Sequence, residues 1–136
     1  MAASVIVDAG FVVALLSSRD THHRWALAHA SRLESPWQTC EAALSEIFHL
    51  VGAAGSDAVI ALLRRRCLSV AFNLGMELDY VLKLMQKYSD VPMSLADACL
   101  VRMSETFPES ILLTTDSDFR IYRRYGRNVV PCVTPR

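Results

Sequence analysis

Short apolar runs alternate with segments of helical periodicity along the chain. Four segments are apolar, or nearly so, over their whole length: residues 4–7, 68–71, 111–113 and 128–130, of which 68–71 is the weakest. Continuous runs of this kind are typical of strands that are buried on both faces of a parallel sheet. Between them, apolar residues recur at helical spacing, most clearly in residues 41–52. This alternation predicts an α/β sandwich.

Helices are expected in the remaining periodic segments. We predict them at residues 11–17, 21–34, 41–52, 57–67, 76–89 and 94–106. Glycine or proline marks the boundary between several of them: Gly55, Gly75, Pro92 and Pro108. No repeat or linker interrupts the pattern, and 136 residues with 52% hydrophobic content suffice for one core. A single domain covering residues 1–136 is therefore expected.

The composition gives no long-range attraction to nucleic acid. Fourteen basic side chains balance fourteen acidic ones, so a polyanionic partner must be bound by a local patch. The four cysteines are widely spaced and lie mostly in apolar surroundings, which predicts buried thiols in a reducing compartment. The apolar start of the chain lacks a basic segment and is interrupted by Asp8. We therefore expect a cytoplasmic protein that does not enter a membrane.

Two aspartates directly follow predicted strands. Asp8 comes after the apolar residues 5–7, and Asp116 follows the run at 111–115. The carboxyl ends of parallel strands form the ligand crevice of open α/β sheets, so both acids are expected in one region. The alternative for each residue is the N-cap of a following helix, a role that Asp fills well.

Two further acids lie on predicted helices. Asp97 follows Ser94 at the spacing of a capping box, so one interpretation is a simple helix start. Asp97 also shares a helix face with small side chains, which favours a carboxylate that faces a cleft. Glu46 lies on the less apolar side of its helix, and its alternative is a solvated surface glutamate. The helical pattern alone leaves both pairs of interpretations open.

Four acids that meet at one sheet edge would form a site for a divalent metal ion. Oxygen-only ligands suit Mg²⁺ or Mn²⁺, which keep several waters and bridge to a substrate phosphate. An ion bound there would activate water and neutralise charge on a phosphodiester. Without metal, the crowded carboxylates are expected to repel one another, which raises some of their pKa values.

The same acids occur in motifs that resemble those of the PIN domain family, which includes the VapC toxins of bacterial toxin–antitoxin pairs. The motifs are Val7-Asp8-Ala9, Thr39 with Ser45-Glu46, Ser94-Leu95-Ala96-Asp97-Ala98 and Thr114-Thr115-Asp116-Ser117-Asp118-Phe119. They cover essentially the whole chain in the order and spacing of the family. The resemblance implies a three-layer α/β sandwich in which helices flank a central twisted parallel sheet of four to five strands.

The resemblance also implies an activity and a cofactor. It implies an endoribonuclease that binds Mg²⁺ or Mn²⁺ through four catalytic acids: Asp8, Glu46, Asp97 and Asp116. Asp118 occupies a position that is often acidic in the family, and it is a weaker candidate ligand or a helix cap. The alternative is a catalytically inactive PIN module that binds RNA or another protein.

Partners follow from the same resemblance. It implies an RNA substrate, a homodimer and, for a toxin, a cognate antitoxin protein. An apolar helical groove near residues 11–17 and 44–51 is a candidate site for a partner or a second subunit. The alternative is that these side chains belong to the core.

Substrate binding is predicted for residues around the last acid. Thr114 matches the hydroxyl residue of the family's T-x-D motif. Arg120, Arg123 and Arg124 follow, interleaved with the aromatic residues of segment 119–125. Because arginine binds phosphates and aromatic rings stack on unpaired bases, this segment is a candidate guide for single-stranded RNA. The alternative is a helix with a solvated basic face and aromatic core residues.

Overall fold

The computed structural model describes residues 4–135 and is built around a five-stranded parallel sheet. The strands in chain order are β1 (Ser4–Val7), β2 (Trp37–Thr39), β3 (Leu68–Val70), β4 (Ser110–Leu113), β5 (Arg123–Arg124), β6 (Asn128–Val129) and β7 (Cys132–Val133). The main sheet has the order β3-β2-β1-β4-β7, while β5 and β6 form a separate antiparallel pair. The predicted α/β fold with a parallel sheet of four to five strands is confirmed.

Helices cover both faces of this sheet. They are α1 (Ala9–Leu16), α2 (His23–Ala30), α3 (Glu41–Arg64), α4 (Leu74–Lys87) and α5 (Leu95–Thr106), and a 3₁₀ turn covers Ser117–Arg120. Successive residues of β1 face opposite sides, as expected of a strand. Val5 and Val7 pack with α1, α2 and α3, whereas Ile6 packs with α4 and α5. Two apolar cores therefore enclose the sheet.

The chain order creates a switch point between β1 and β4. From β1 the chain adds β2 and then β3 on one side, and it returns to add β4 and β7 on the other side. Because the direction of the crossovers reverses there, the carboxyl ends of β1 and β4 border a crevice in which α/β proteins bind ligands. Asp8 follows β1, and Thr114 follows β4.

Residues 41–64 form two helical segments that meet at a kink, in agreement with the two helices predicted there. The kink is at Gly52, which has φ 63°, and not at Gly55. A positive φ is readily adopted only by glycine, so the chain turns there with little strain and then resumes the helix. The predicted end of the first helix at residue 52 is confirmed, whereas the second segment begins before the predicted residue 57 and ends at Arg64.

The predicted strand at 128–130 belongs to a hairpin and not to the parallel sheet. Tyr125 with φ 54° and Gly126 with φ 85° turn the chain back, so that β6 pairs with β5. The fifth place in the sheet is taken by β7. β2 was not predicted either, because three residues with the polar Gln38 at their centre form no apolar run.

One described helix, α3, is long and apolar enough to cross a membrane by length and composition, with a mean hydropathy of 1.5. Such a helix is weak support for a membrane span. Gly52 interrupts α3, and its Ala43, Ile47 and Val59 lie in the protein core. The expectation that the protein does not enter a membrane stays a prediction.

The four cysteines all lie in the described part of the chain and are free thiols. Cys40 and Cys99 are buried, whereas Cys67 and Cys132 are half-buried. The prediction of unpaired cysteines is confirmed, and the prediction of burial is confirmed for two of them.

Candidate active site

Asp8 is fixed at the carboxyl end of β1 by two hydrogen bonds. It is the N-cap of α1, where Oδ1 accepts a hydrogen bond of 2.8 Å from the Phe11 N–H. Its Oδ2 accepts a second hydrogen bond from the Thr114 hydroxyl. Only 7% of the residue is exposed. Asp8 therefore caps α1 and also lies at the carboxyl edge of the sheet.

Thr114 connects the first acid to the last. Its hydroxyl donates to Asp8 and accepts a 2.9 Å hydrogen bond from the Asp116 N–H. Oδ1 of Asp116 in turn accepts a 2.9 Å hydrogen bond from the Asp118 N–H and caps the 3₁₀ turn. Because Thr114 is fully buried, it has no surface to offer to a substrate. Its geometry is that of a positioning residue and gives no support to the predicted substrate contact.

Asp97 completes a capping box at the start of α5. Its N–H donates to Ser94 Oγ at 3.0 Å, and its Oδ2 accepts from the Ser94 N–H at 3.3 Å. The same oxygen accepts a 3.2 Å hydrogen bond from the Tyr122 hydroxyl. The helix-cap interpretation is thus confirmed. Within residues 4–135, Oδ1 of Asp97 accepts no hydrogen bond, so this oxygen is available to an ion.

The four predicted acids line one pocket of about 280 Å³, which we call the acidic pocket. Its other lining residues are small or apolar, and none of them is basic: Ala9, Gly10, Leu50, Ser94, Ala96, Leu100 and Thr115. Asp8 is buried, Asp97 and Asp116 are half-buried, and Glu46 is exposed. The acids therefore meet at the carboxyl edge of the sheet with a gradient of exposure from Asp8 to Glu46. Their metal-binding and catalytic roles stay predictions.

Burial is the main electrostatic feature of the acidic pocket. It raises the pKa of the Asp8 carboxyl to about 6, although the hydrogen bonds from Thr114 and the Phe11 N–H oppose this rise. The charges of Asp116 and Asp97 add to it. Burial also raises the pKa of Asp97, and the charge of Asp116 contributes. Repulsion was predicted to raise these pKa values, and it does so as a smaller cause than burial.

The donor chemistry of the acidic pocket fits Mg²⁺ or Mn²⁺ held partly through water. Among residues 4–135, no group of three or more His, Cys, Asp or Glu side chains lies close enough to hold an ion directly. Mg²⁺ usually keeps several waters and binds only one or two carboxylates, so it does not need a closed cage. Carboxylate oxygens at the rim of an open pocket, without a competing cation, meet that requirement.

Asp118 lies outside the lining of the acidic pocket. It is half-buried in the first turn of the 3₁₀ segment, and its N–H donates to Asp116. Burial raises the pKa of Tyr122, and the charges of Asp97 and, to a smaller extent, Asp118 add to the rise. Of the two predicted roles of Asp118, the structure supports a place in the turn beside the site rather than among the ligands.

The three predicted substrate-binding arginines differ in their surroundings. Nη1 of Arg123 donates to the carbonyl groups of residues 120–122. Nη1 of Arg124 donates to carbonyl groups after and within α5, at 2.7 Å from the Ser104 oxygen. The backbone thus already engages both guanidinium groups. Arg120 is exposed and donates only to a side-chain hydroxyl among the described residues. RNA binding by these arginines stays a prediction, and Arg120 is the one best placed for it.

The aromatic residues of this segment belong mainly to the core. Phe119 and Tyr122 are fully buried, and their ring centroids lie 5.3 Å apart in an edge-to-face arrangement. The prediction that they stack on bases is wrong because neither ring has an exposed face. Aromatic core residues were the alternative, which is confirmed, although the segment forms a 3₁₀ turn and a short strand rather than a helix. Tyr125 is 48% exposed.

Two features of the acidic pocket were not predicted from the sequence, the close approach at Gly10 and the contact between Tyr122 and Asp97. A Cβ on Gly10 would lie 2.0 Å from Thr115 Oγ1, so glycine allows the turn after β4 to approach the start of α1. The signal for it was the small pair Ala9-Gly10 directly after the first acid. Tyr122 donates to Asp97 across 25 positions of sequence, and no local pattern reveals such a contact.

Comparison with known proteins finds a family to which the chain is similar. The family described as PIN domain matches residues 5–125, a range that contains all four acids of the acidic pocket. A search of curated proteins finds no match. The family match covers most of the chain and ends at Tyr125, within the turn between β5 and β6.

Proposed function

The chain belongs to the PIN domain family, whose members are generally metal-dependent nucleases that act on RNA, and we propose that it is itself an Mg²⁺- or Mn²⁺-dependent endoribonuclease. The observation that carries this proposal is the acidic pocket. Four carboxylates from four separate segments converge there without a basic residue to neutralise them. A purely structural role would not require four like charges in one crevice, because their proximity disfavours the ionised forms.

The four acids have different parts in this proposal. When bound, a divalent ion supplies positive charge beside the scissile phosphate and promotes the ionisation of water. Asp97 and Asp116 would hold the ion through the oxygens that accept no hydrogen bond in the described chain. Each oxygen of Asp8 accepts one hydrogen bond, from Phe11 or from Thr114, and would still have a lone pair to offer to the ion. Glu46, which is exposed, would orient the attacking water and accept its proton.

Replacing Asp97 by Asn tests the proposal. The shape of the side chain and its capping oxygen are retained, while the charge is lost. We expect cleavage of single-stranded RNA in Mn²⁺ to fall by at least about 10²-fold. Asp79→Asn is the matched control, since Asp79 is an exposed acid on α4 outside the pocket. Equal cleavage by wild type and Asp97→Asn would contradict the proposal. Calorimetry without Mn²⁺ binding would favour the inactive PIN module.

A toxin role with a cognate antitoxin is part of the proposal. A groove of about 340 Å³ between α1 and α3 is lined in part by Val13, Leu16, Leu50 and Val51. Leu50, which is 58% exposed, also lines the acidic pocket. An apolar antitoxin segment in this groove would therefore approach the acids. Coexpression with the product of a neighbouring small gene should give a stable complex in which RNA cleavage is suppressed. The Leu50→Asp substitution should weaken that complex.

We also propose a homodimer, as the family resemblance implies. The helix α4 exposes four large apolar side chains: Met76, Leu78, Tyr80 and Leu82. Met76 and Tyr80 lie one turn apart on one side of α4, and Leu78 and Leu82 lie one turn apart on another, so two exposed apolar surfaces are candidates for a protein contact. Light scattering during gel filtration should give twice the chain mass for wild type and a monomer for Met76→Glu with Leu78→Glu. A cytoplasmic location agrees with an RNA substrate and is proposed with it.

A further inference from the structure

A second cavity lies on the same edge of the sheet as the acidic pocket. Its volume is about 550 Å³, and it lies between α2 and the end of β7. We call it the aromatic cavity, and it is lined by Trp25, His29, Arg120, Cys132, Val133 and Thr134. Because β7 is parallel to β4, the carboxyl ends of both strands point to this edge. The proposed catalytic residues make no use of this cavity.

One wall of the aromatic cavity is a fixed pair of rings. The Trp25 and His29 ring centroids lie 5.1 Å apart with planes inclined by 56°. Phe11 contacts Trp25 edge to face, with centroids 5.8 Å apart, and holds the indole in place. Trp25 is half-buried, so part of the indole is open to a ligand. A half-exposed indole that is held by other rings is a suitable surface for stacking a nucleobase.

The opposite wall carries a positive charge. Arg120 is exposed, and Nη2 of its guanidinium donates to the hydroxyl of Thr134, which also lines the cavity. None of the residues that line the aromatic cavity is acidic. The guanidinium is planar and has further N–H donors, which suits a phosphate group. An aromatic surface and a cation that forms no ion pair within residues 4–135 therefore line the same cavity.

The two pockets are joined by short structural links. Arg120 ends the 3₁₀ turn that Asp116 caps, and a turn of that length spans roughly 8 Å. The Thr114 N–H donates to the Val133 carbonyl at 3.2 Å, which ties the wall of one pocket to the positioning residue of the other. Phe11 touches Trp25 with its ring and Asp8 with its N–H. A single strand of RNA bound at the acidic pocket would therefore lie next to the aromatic cavity.

We infer that the aromatic cavity binds a nucleotide of single-stranded RNA next to the one that is cleaved, with its base on Trp25 and its phosphate on Arg120. This inference rests on the proposed endoribonuclease function. His29 completes the ring surface and offers a hydrogen-bonding nitrogen to the base edge. A neutral protein with a strongly acidic centre needs such a cationic contact outside that centre, because the acids themselves repel the phosphates of the substrate.

The two tryptophans of the chain allow a direct test. Trp25 is half-buried, whereas Trp37 is 7% exposed and its Nε1 lacks a hydrogen-bond partner within the described chain. Trp37→Phe therefore removes a buried unpaired donor and leaves Trp25 as the single indole reporter. In the non-cleaving Asp97→Asn background, a single-stranded oligoribonucleotide of about ten nucleotides should quench the fluorescence of Trp37→Phe. The same titration of Trp25→Phe should show no quenching.

Affinity provides the second readout. Fluorescence anisotropy with the labelled oligoribonucleotide in the same background should show about tenfold weaker binding for Trp25→Ala and for Arg120→Met. Arg24→Met is the matched control because Arg24 is an exposed arginine beside Trp25 that does not line the cavity.

Unchanged quenching in Trp25→Phe, or equal affinities for Arg120→Met and Arg24→Met, would overturn the inference. That result would leave cleavage by wild type intact. Failure of the proposed enzyme would instead appear as equal cleavage by wild type and Asp97→Asn.

Discussion

The acidic pocket and the aromatic cavity lie side by side but are built in different ways. Three of the four acids, Asp8, Asp97 and Asp116, follow strand ends or begin helices, and hydrogen bonds to the backbone fix them. The aromatic cavity instead takes its side chains from an exposed helix face and from the end of a turn. The proposed chemistry thus lies where hydrogen bonds to the backbone hold the side chains in place. Recognition, which tolerates adjustment, lies on more exposed elements.

The largest effect expected from this contrast concerns the exposed acid at the mouth of the acidic pocket. Glu46→Gln should reduce the cleavage rate by about 10²- to 10⁴-fold, because the amide cannot accept a proton from water. The substrate KM should change little. Glu41→Gln is the matched control, since Glu41 is an exposed glutamate on the same helix that does not line the pocket. The measurement is steady-state cleavage of a labelled RNA.

A mainly elevated KM for Glu46→Gln would break the contrast between the two pockets. It would mean that the acidic pocket also contributes ground-state binding. Variants of Trp25 are expected to show the opposite behaviour, with their main effect on KM. Equal rates for Glu46→Gln and Glu41→Gln would contradict the role of Glu46 as an acceptor of the proton.

The next effect concerns the stability of the metal-free protein. Asp8 has a pKa of about 6 in the fold against 3.8 as a free side chain. The folded state therefore binds this proton more tightly than the unfolded state. The stabilisation from the proton is fully present below pH 3.8 and is lost as the pH rises through about 6. Its size is of the order of 3 kcal/mol.

Asp8→Asn tests this stability effect. Asn is also a good N-cap, so the variant should keep the start of α1 and should be more stable than wild type at pH 7 in a chelator. The variant should lose most of the decline in unfolding free energy between pH 4 and 7, and Asp97 accounts for a remaining slope in the same direction. Urea unfolding across this range measures both. An unchanged pH dependence would contradict the buried charge of Asp8.

The sequence could predict most of the acidic pocket, whose acids are held by hydrogen bonds to the backbone. Apolar runs identified β1 and β4, and the polar residues directly after them located Asp8 and Asp116. Both features depend on neighbouring residues, so a local pattern suffices. Asp97 was harder, because the same spacing gives a helix cap and a site acid, and the structure shows one carboxylate in both positions.

The aromatic cavity could not be predicted for a physical reason. Trp25 and Arg120 are separated by most of the chain, and they meet only because β7 completes the sheet. β7 itself has two residues and carries no periodic signal. The basic segment suggested that all its arginines bind RNA. In the fold, however, Arg123 and Arg124 donate to backbone carbonyl groups, a difference from Arg120 that the sequence pattern does not show.

A smaller effect on activity is expected at the link between the two strand ends. Thr114→Val removes the hydroxyl that holds Asp8 and Asp116 together. Residues that orient metal ligands typically contribute about 10- to 100-fold to activity, so we expect a loss in that range. Thr114→Ser keeps the hydroxyl and should restore most of the rate. Equal defects in both variants would indicate that the methyl group, and not the hydrogen bonds, is what matters.

The smallest effect concerns the contact between Tyr122 and Asp97, which joins the acidic pocket to the buried aromatic core. Tyr122→Phe removes the 3.2 Å hydrogen bond but keeps the ring against Phe119. We expect a loss of about 1 kcal/mol in unfolding free energy. The hydrogen bond favours the ionised carboxylate, so the loss should be present at neutral pH and should shrink when Asp97 is protonated. An equal loss of unfolding free energy at neutral and at acidic pH would assign the effect to packing alone. The Tyr122 hydroxyl would then make no contribution to holding the Asp97 carboxylate.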